Sequence, residues 1–250
     1  MIAIRKNHEL EAMRTSGRMA GQVRHKVCQK IRPGVTTLEL AEYAAELIRG
    51  LGGESAFLGY QGFPGVICAS VNEAVVHGIP DKRPIEIGDI VSIDVGVRYE
   101  GYIGDTATTV MVGVTDTNLV KLVKTTERAL EAGIRQARAG NRVSDISHAI
   151  EQVAVKGGFS VVREFVGHGV GKRMHEEPQV PNFGKPGRGP MLKAGMTIAL
   201  EPMVNLGGAS VKVLDDGWTV VTTDRRPSAH FEHTIAVGEK APEILTKVDQ

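Results

Sequence analysis

Residues Glu86–Val97 read EIGDIVSIDVGV, and 107 positions later Lys193–Val204 read KAGMTIALEPMV. In each, a glycine (Gly88, Gly195) stands six residues before an acid (Asp94, Glu201) that closes a short aliphatic run. Aliphatic and β-branched runs bounded by turn residues are strands, so the two acids occupy the same point of equivalent strands. Each strand is followed by another that carries a further acid: Asp105 in YIGDTATTVMVG and Glu232 in AHFEHTIAVG.

The likeness extends upstream. Gly34 precedes VTTLELAEYAAELIRGLGG and Gly140 precedes NRVSDISHAIEQVAVKGG, two stretches with apolar residues at helical spacing that stop at a glycine pair. The offsets Gly34/Gly140 and Gly52/Gly158 are both 106, and those of Gly88/Gly195 and Asp94/Glu201 are both 107. Another amphipathic helix precedes each unit, over roughly residues 7–31 and 118–138. Each half therefore reads helix, helix, strands, which points to a duplication with pseudo-repeats over roughly 7–113 and 114–240 within one catalytic unit spanning 1–250. Helices grouped ahead of hairpins lack the crossovers of parallel sheets, so the fold class is α+β with mainly antiparallel sheet.

Asp94 and Asp105 fall on adjacent strands, and two facing halves would bring Glu201 and Glu232 opposite them. Four carboxylates in a partly buried cleft repel one another, and divalent cations remove that repulsion. An oxygen-rich shell with room for a histidine suits manganese, ferrous iron, cobalt or zinc as a pair of ions rather than a structural zinc site. Such pairs polarise a carbonyl and activate water, so the implied chemistry is hydrolytic attack on an acyl carbon.

Arg163–Pro178, REFVGHGVGKRMHEEP, holds two further candidates, His168 and His175. A P-loop fails because Val166 stands at its first glycine and Arg173 follows Lys172; a dinucleotide fingerprint fails because Lys172 or Met174 replaces its third glycine. The zinc motif H-E-x-x-H fails too, since Gln179 stands at the second histidine and Pro178 would break the helix. The segment is then a glycine-rich extended stretch that either presents His168 to a cleft or keeps it hydrogen-bonded locally. His77, in NEAVVHGIP, is a third candidate; His8, His25 and His148 read as surface residues on helices. His230 and His233 bracket Glu232 and are placed on the opposite sheet face from it.

Composition narrows the partners. Thirty Lys+Arg against 29 Asp+Glu give a net charge of +1, with no global pull toward nucleic acid or anionic membrane. Cys28 and Cys68 do not make a disulfide framework and fit a reducing cytoplasm. The N-terminal MIAIRKNHEL lacks the apolar core of a secretion signal, and no apolar run reaches the roughly 20 residues needed to span a bilayer.

Taken together, NEAVVHGIP, DIVSIDVGVRYEGYIGDTATT, GHGVGKRMHEEPQVPNF, AGMTIALEP and FEHTIAV resemble the type I methionine aminopeptidases of bacteria across essentially the whole chain. The resemblance implies the duplicated pita-bread fold, a pseudo-twofold repeat with antiparallel sheet inside and helices outside, around two divalent metal ions. It implies Asp94, Asp105, His168, Glu201 and Glu232 as metal ligands, with Asp105 and Glu232 bridging. His175 would steady the tetrahedral oxygen, Glu201 would assist proton transfer, and His77 would contact the scissile amide. Tyr60, Phe63, Cys68 and Trp218, with His77 and His175, would bind a substrate whose first residue is methionine. Met174 departs from the family, where an aromatic residue is common. The implied activity is removal of initiator methionine from nascent polypeptide N-termini, favouring a small second residue, by a cytoplasmic monomer that associates with ribosomes. Two other readings remain: an Xaa-Pro aminopeptidase or dipeptidase of the same fold, which usually adds an N-terminal domain, and a non-catalytic binding module, which would be expected to lose ligands.

Overall fold

Gly88 and Gly195 both hold a positive φ, 101° and 86°, in the turns that launch the two acid-bearing strands. A side chain at either position would be strained, and this explains why the repeat keeps glycine there. The computed structural model describes residues 2–248. Its four helices are α1 (Asn7–Cys28), α2 (Thr37–Gly50), α3 (Thr117–Gln136) and α4 (Val143–Lys156). The first and third stop short of the ends implied by periodicity. Arg32 precedes Pro33, which disfavours helical backbone before it, and Asn141 donates a 2.9 Å hydrogen bond to the last helical carbonyl of α3, at Gln136.

Thr36 caps α2: its hydroxyl accepts from Glu39 N–H at 3.1 Å, while the Glu39 carboxylate accepts from Thr36 N–H at 2.7 Å. Thr36→Ala should therefore cost about 1 kcal/mol, read as a lower urea midpoint with unchanged slope.

Strands Ile90–Tyr99 and Tyr102–Met111 form one antiparallel hairpin, closed by Glu100 and Gly101, both at positive φ as a two-residue turn requires. Its register pairs Asp94 with Ala107 and Gly96 with Asp105, so the two aspartates lie diagonally on one face. Val91, Ile93, Val95 and Val97 point the other way and pack on Val23 of α1 and Leu40 and Ala44 of α2. In the second half Ile198, Leu200 and Ile235 meet Leu122 and Leu130 of α3 and Ile146 and Ile150 of α4 in the same manner. The helices cover the outside of both half-sheets, and the inner faces are left for polar side chains. The named strand pairings are all antiparallel, as expected from the sequence.

The second hairpin is interrupted. Thr197–Leu200 pairs with His233–Ala236 and Met203–Asn205 with Ser228–His230, leaving Glu201, Pro202, Phe231 and Glu232 outside regular strand. Pro202 has no N–H to give the ladder. The register is the same on both sides of the gap, Leu200 opposite His233 and Met203 opposite His230, so Glu201 and Glu232 face each other directly. This corrects the reading of two symmetry-related acid pairs. Asp94 and Glu201 are equivalent, but the counterpart of Glu232 is Ala107 and the counterpart of Asp105 is His230, a slip of two residues.

The halves meet along this line. Ala107 and Glu232 exchange both backbone hydrogen bonds, at 3.3 and 2.9 Å. The Thr234 hydroxyl accepts from Asp105 N–H at 2.9 Å and donates to Asp105 C=O at 2.8 Å; the Thr109 hydroxyl does the same for His230, at 2.9 and 2.8 Å. Among the described residues no helix is long and apolar enough to cross a membrane.

Candidate metal centre

Each acid reaches the inner face by a different local device. Asp94 and Asp105 ride a continuous hairpin, whereas Glu201 and Glu232 sit where the second hairpin opens. His168 comes from the short strand Gly167–Gly169, which lies between Thr197–Leu200 and Glu176–Val180 and pairs His168 with Ala199, two residues from Glu201. All five side chains line one cavity of about 160 Å³.

Asp105, His168 and Glu232 each offer a ligand atom within 4.8 Å of the others, and all three are buried. His168 Nε2 lies 3.3 Å from Glu201 Oε1 and 3.8 Å from Asp105 Oδ2. Its Nδ1 is 3.0 Å from the Gly169 carbonyl, a contact that places the ring proton on Nδ1 and leaves a lone pair on Nε2 facing the acids. Burial, then the neighbouring His175, holds the His168 pKa down to about 3, so the ring is neutral. A lone pair aimed at carboxylate lone pairs is repulsive unless a cation lies between them.

The acids repeat the point. Asp94 Oδ1, Asp105 Oδ1 and Glu232 Oε1 are buried without a hydrogen-bond partner. Burial raises Asp94 to about 7; burial, then Asp94 and Glu201, raises Asp105 well above the usual carboxylate range. Glu201 is raised by burial, then Asp94, and Glu232 by burial, then Asp105. Orphaned acceptors, mutual repulsion and one imidazole lone pair are the pattern of a divalent-cation site, and the donor set fits such an ion.

The opposite wall is aromatic and sulfur-rich. Phe63 and Trp218 meet edge to face at 5.1 Å, and His77 meets Trp218 at 6.3 Å and Phe165 at 5.6 Å in the same edge-on manner. Trp218 is placed by Asp216, whose carboxylate accepts from Trp218 and Thr219 N–H at 2.8 Å each, and by the pairing of Val220–Thr222 with Ala74–Val76. His77 holds φ 58°, uncommon for a residue with a side chain, while the chain after it is pinned by Gly78 N–H to Ser70 at 3.1 Å. Cys68 pairs with Asp94 across the sheet and is buried. Met174, where the resemblance led to the expectation of an aromatic residue, is buried in the same wall.

His175 lies at the mouth, its ring 4.4 Å from His168 and its Nδ1 2.8 Å from the Tyr60 hydroxyl. Burial lowers its pKa. A phenol donating to Nδ1 leaves the proton of a neutral imidazole on Nε2, where it can be offered to a ligand. Every site residue expected from the sequence thus lines the one cavity. Two that were missed do as well. Phe57 covers Gly96, where a Cβ would strike its ring, and Gln61 donates to the Tyr60 hydroxyl at 3.2 Å. A loop phenylalanine and glutamine carry no motif, so only Gly96 opposite Asp105 hinted that the sheet is approached closely.

The other histidines divide. His8 and His25 are exposed, while His148 is half-buried, with Nδ1 3.2 Å from Gly184 O. His230, expected on the opposite sheet face from Glu232, instead shares its side of the backbone two residues away and is buried with Nε2 unpartnered, its pKa pushed to about 3 by burial and then His77. His233 points away, its Nδ1 2.7 Å from the Thr246 hydroxyl.

The family model for metallopeptidase family M24 matches residues 11–239. This chain belongs to metallopeptidase family M24. Among M24 relatives, the methionine aminopeptidase of Clostridium perfringens is 48% identical over 99% of the chain and 100% of that protein. Methionine aminopeptidase 1 of Bacillus subtilis matches at the same identity and coverage. The crystal structure of methionine aminopeptidase from Thermotoga maritima superposes with a TM-score of 0.98 at 45% identity, over 99% of this chain and 100% of that one. Prolidase from Pyrococcus furiosus, at 22% identity and a TM-score of 0.81, shares the pita-bread fold; this chain spans 66% of it.

Proposed function

We propose that this chain is a methionine aminopeptidase that removes initiator methionine from nascent polypeptides, favouring a small second residue, with residues 1–250 acting as one catalytic unit. The observation that carries the reading is the cavity itself, in which a wall of four acids and a histidine faces a wall of aromatic and sulfur-bearing side chains. A thioether fits the second wall, and the first scissile bond then lies at the acid wall. Full-length relatives near 48% identity that bear this name support the assignment.

Asp94, Asp105, His168, Glu201 and Glu232 would hold two divalent ions. When bound, such ions supply Lewis acidity to a carbonyl and lower the pKa of water. Phe63, Trp218, Cys68 and Tyr60 orient the methionine side chain and exclude solvent from it. His77 contacts the scissile amide. His175, with its proton held on Nε2 by Tyr60, donates to the oxygen that gains charge as the carbonyl becomes tetrahedral. Glu201, at the acid wall with its Oε1 3.3 Å from His168 Nε2, takes a proton from the attacking water and returns it to the departing amine.

His175→Ala should lower kcat by about 100-fold with little change in KM, since its bond strengthens in the transition state. Tyr60→Phe should produce a smaller loss of the same kind, about 10-fold. A change confined to KM in either variant removes the residue from this role. The substrate class is tested by comparing Met-Ala-Ser with Xaa-Pro peptides on metal-loaded protein. Preferential Xaa-Pro cleavage, or silence on the Met-initiated peptide, overturns the assignment. The cellular metal, a cytoplasmic location, a monomeric state and ribosome association are parts of the same reading; metal analysis of protein purified without added metal, alongside activity titration, tests the first.

A further inference from the structure

Arg5 lies ahead of α1, on a segment with no expected role, yet its side chain is only 7% exposed. It forms an ion pair with Glu176, itself only 10% exposed and the immediate neighbour of His175. Its Nη2 also donates to the Val170 carbonyl at 3.3 Å, and its Nε donates to the Thr197 hydroxyl at 3.2 Å. Thr197 in turn donates to that carbonyl at 2.6 Å, and Val170 N–H to Thr197 O at 3.1 Å. Arg5 N–H is tied to Gly195 O at 2.8 Å. The guanidinium therefore touches both ends of the turn, residues 170–176, that carries His175.

The turn is shaped to receive it. A Cβ built on Gly171 would collide with the Arg5 guanidinium, so any side chain there would push the arginine out of this position. Within the turn Arg173 N–H donates to Glu176 Oε1 at 3.2 Å, and Gly171 N–H to Arg173 O at 3.1 Å. Glu176 is thus oriented from both sides. A buried ion pair is a weak source of stability, because desolvation offsets the attraction, and its better-attested use is to specify geometry. What this one specifies is the turn on which His175 is mounted.

We propose that Arg5 is a positioning residue that, through Glu176 and the Val170 carbonyl, holds His175 over the acid cluster. This rests on the aminopeptidase reading for its kinetic consequence, but not for its structural one. Loss of the clamp frees the turn, and His175 then spends less time where its Nε2–H can reach the substrate oxygen. Binding of the methionine side chain, on the opposite wall, is untouched.

The test uses the full-length chain and the variants Arg5→Ala and Glu176→Gln, the second keeping size while removing the charge that pairs with Arg5, should the first fail to fold. In metal-free protein, hydrogen exchange of the amides in 170–176 should accelerate at least about 10-fold while those of α2 and α3 keep their protection. In metal-loaded protein, kcat on Met-Ala-Ser should fall about 10- to 100-fold with KM within about twofold. Added to His175→Ala, Arg5→Ala should cost little more, because both act through one group. Unchanged exchange in 170–176, a change in KM alone, or full additivity with His175→Ala overturns the proposal. A wild-type chain silent on the peptide would sink the aminopeptidase reading while leaving the exchange result to judge the clamp.

Discussion

Asp105→Asn is expected to remove nearly all turnover and, in the metal-free protein, to raise the melting temperature. The two effects have one cause. Asp105 is buried with an unpartnered Oδ1, and burial, Asp94 and Glu201 all disfavour its charge. An amide of the same shape removes that repulsion, and a neutral side chain is cheaper to bury. The same substitution withdraws a proposed metal ligand, so kcat/KM should fall by more than the roughly 100-fold that losing an outer hydrogen-bonding partner produces. Glu232→Gln should behave alike. The measurements are kcat/KM on Met-Ala-Ser and thermal melts in chelator at pH 8. Full activity in either variant would refute the two-ion site, and a lower metal-free melting temperature would refute the account of its strain.

Metal removal should reverse the pH dependence of stability. Asp94 is raised to about 7, and Asp105, Glu201 and Glu232 are raised by the same burial. An unfolded chain releases these protons near pH 4, whereas the folded metal-free protein keeps them. Their contribution is therefore fully present below pH 4 and declines as pH rises toward 7, so the chelated protein should melt on the order of 5 °C lower at pH 8 than at pH 5. Divalent cations require the deprotonated acids, so metal-loaded protein should gain stability over the same interval. Parallel trends with and without metal would show that the acids are not the ligands.

Much of this is legible in the sequence. Gly88 and Gly195 announce two equivalent strands because their turns need a positive φ, and the stripes at Leu40, Ala44, Ile146 and Ile150 announce the covering helices because burial is periodic. The phase of the second acid in each half was not legible. It depends on the register of hairpins that differ in their interruption at Pro202, and a single sequence does not reveal which residues pair across a gap. His230 is a different case: it is two residues from Glu232, and strand alternation by itself puts such a pair on one side, opposite only to His233. Arg5 was invisible because an arginine near a chain's start looks like surface, and only the glycine at 171 recorded its presence.

The seam at Ala107 and Glu232 bears on how the protein matures. Its hydrogen bonds, with those of Thr234 and Thr109, join residues more than 120 positions apart, such as Asp105 to Thr234 at a separation of 129. Each half-sheet with its pair of helices can close over much shorter loops, so docking of the halves is entropically the late step. Metal affinity would then be a property of the finished molecule alone. A folding intermediate could show nearly all the native helical signal and still bind no ion, which makes ion uptake a stricter reporter of completed folding than circular dichroism.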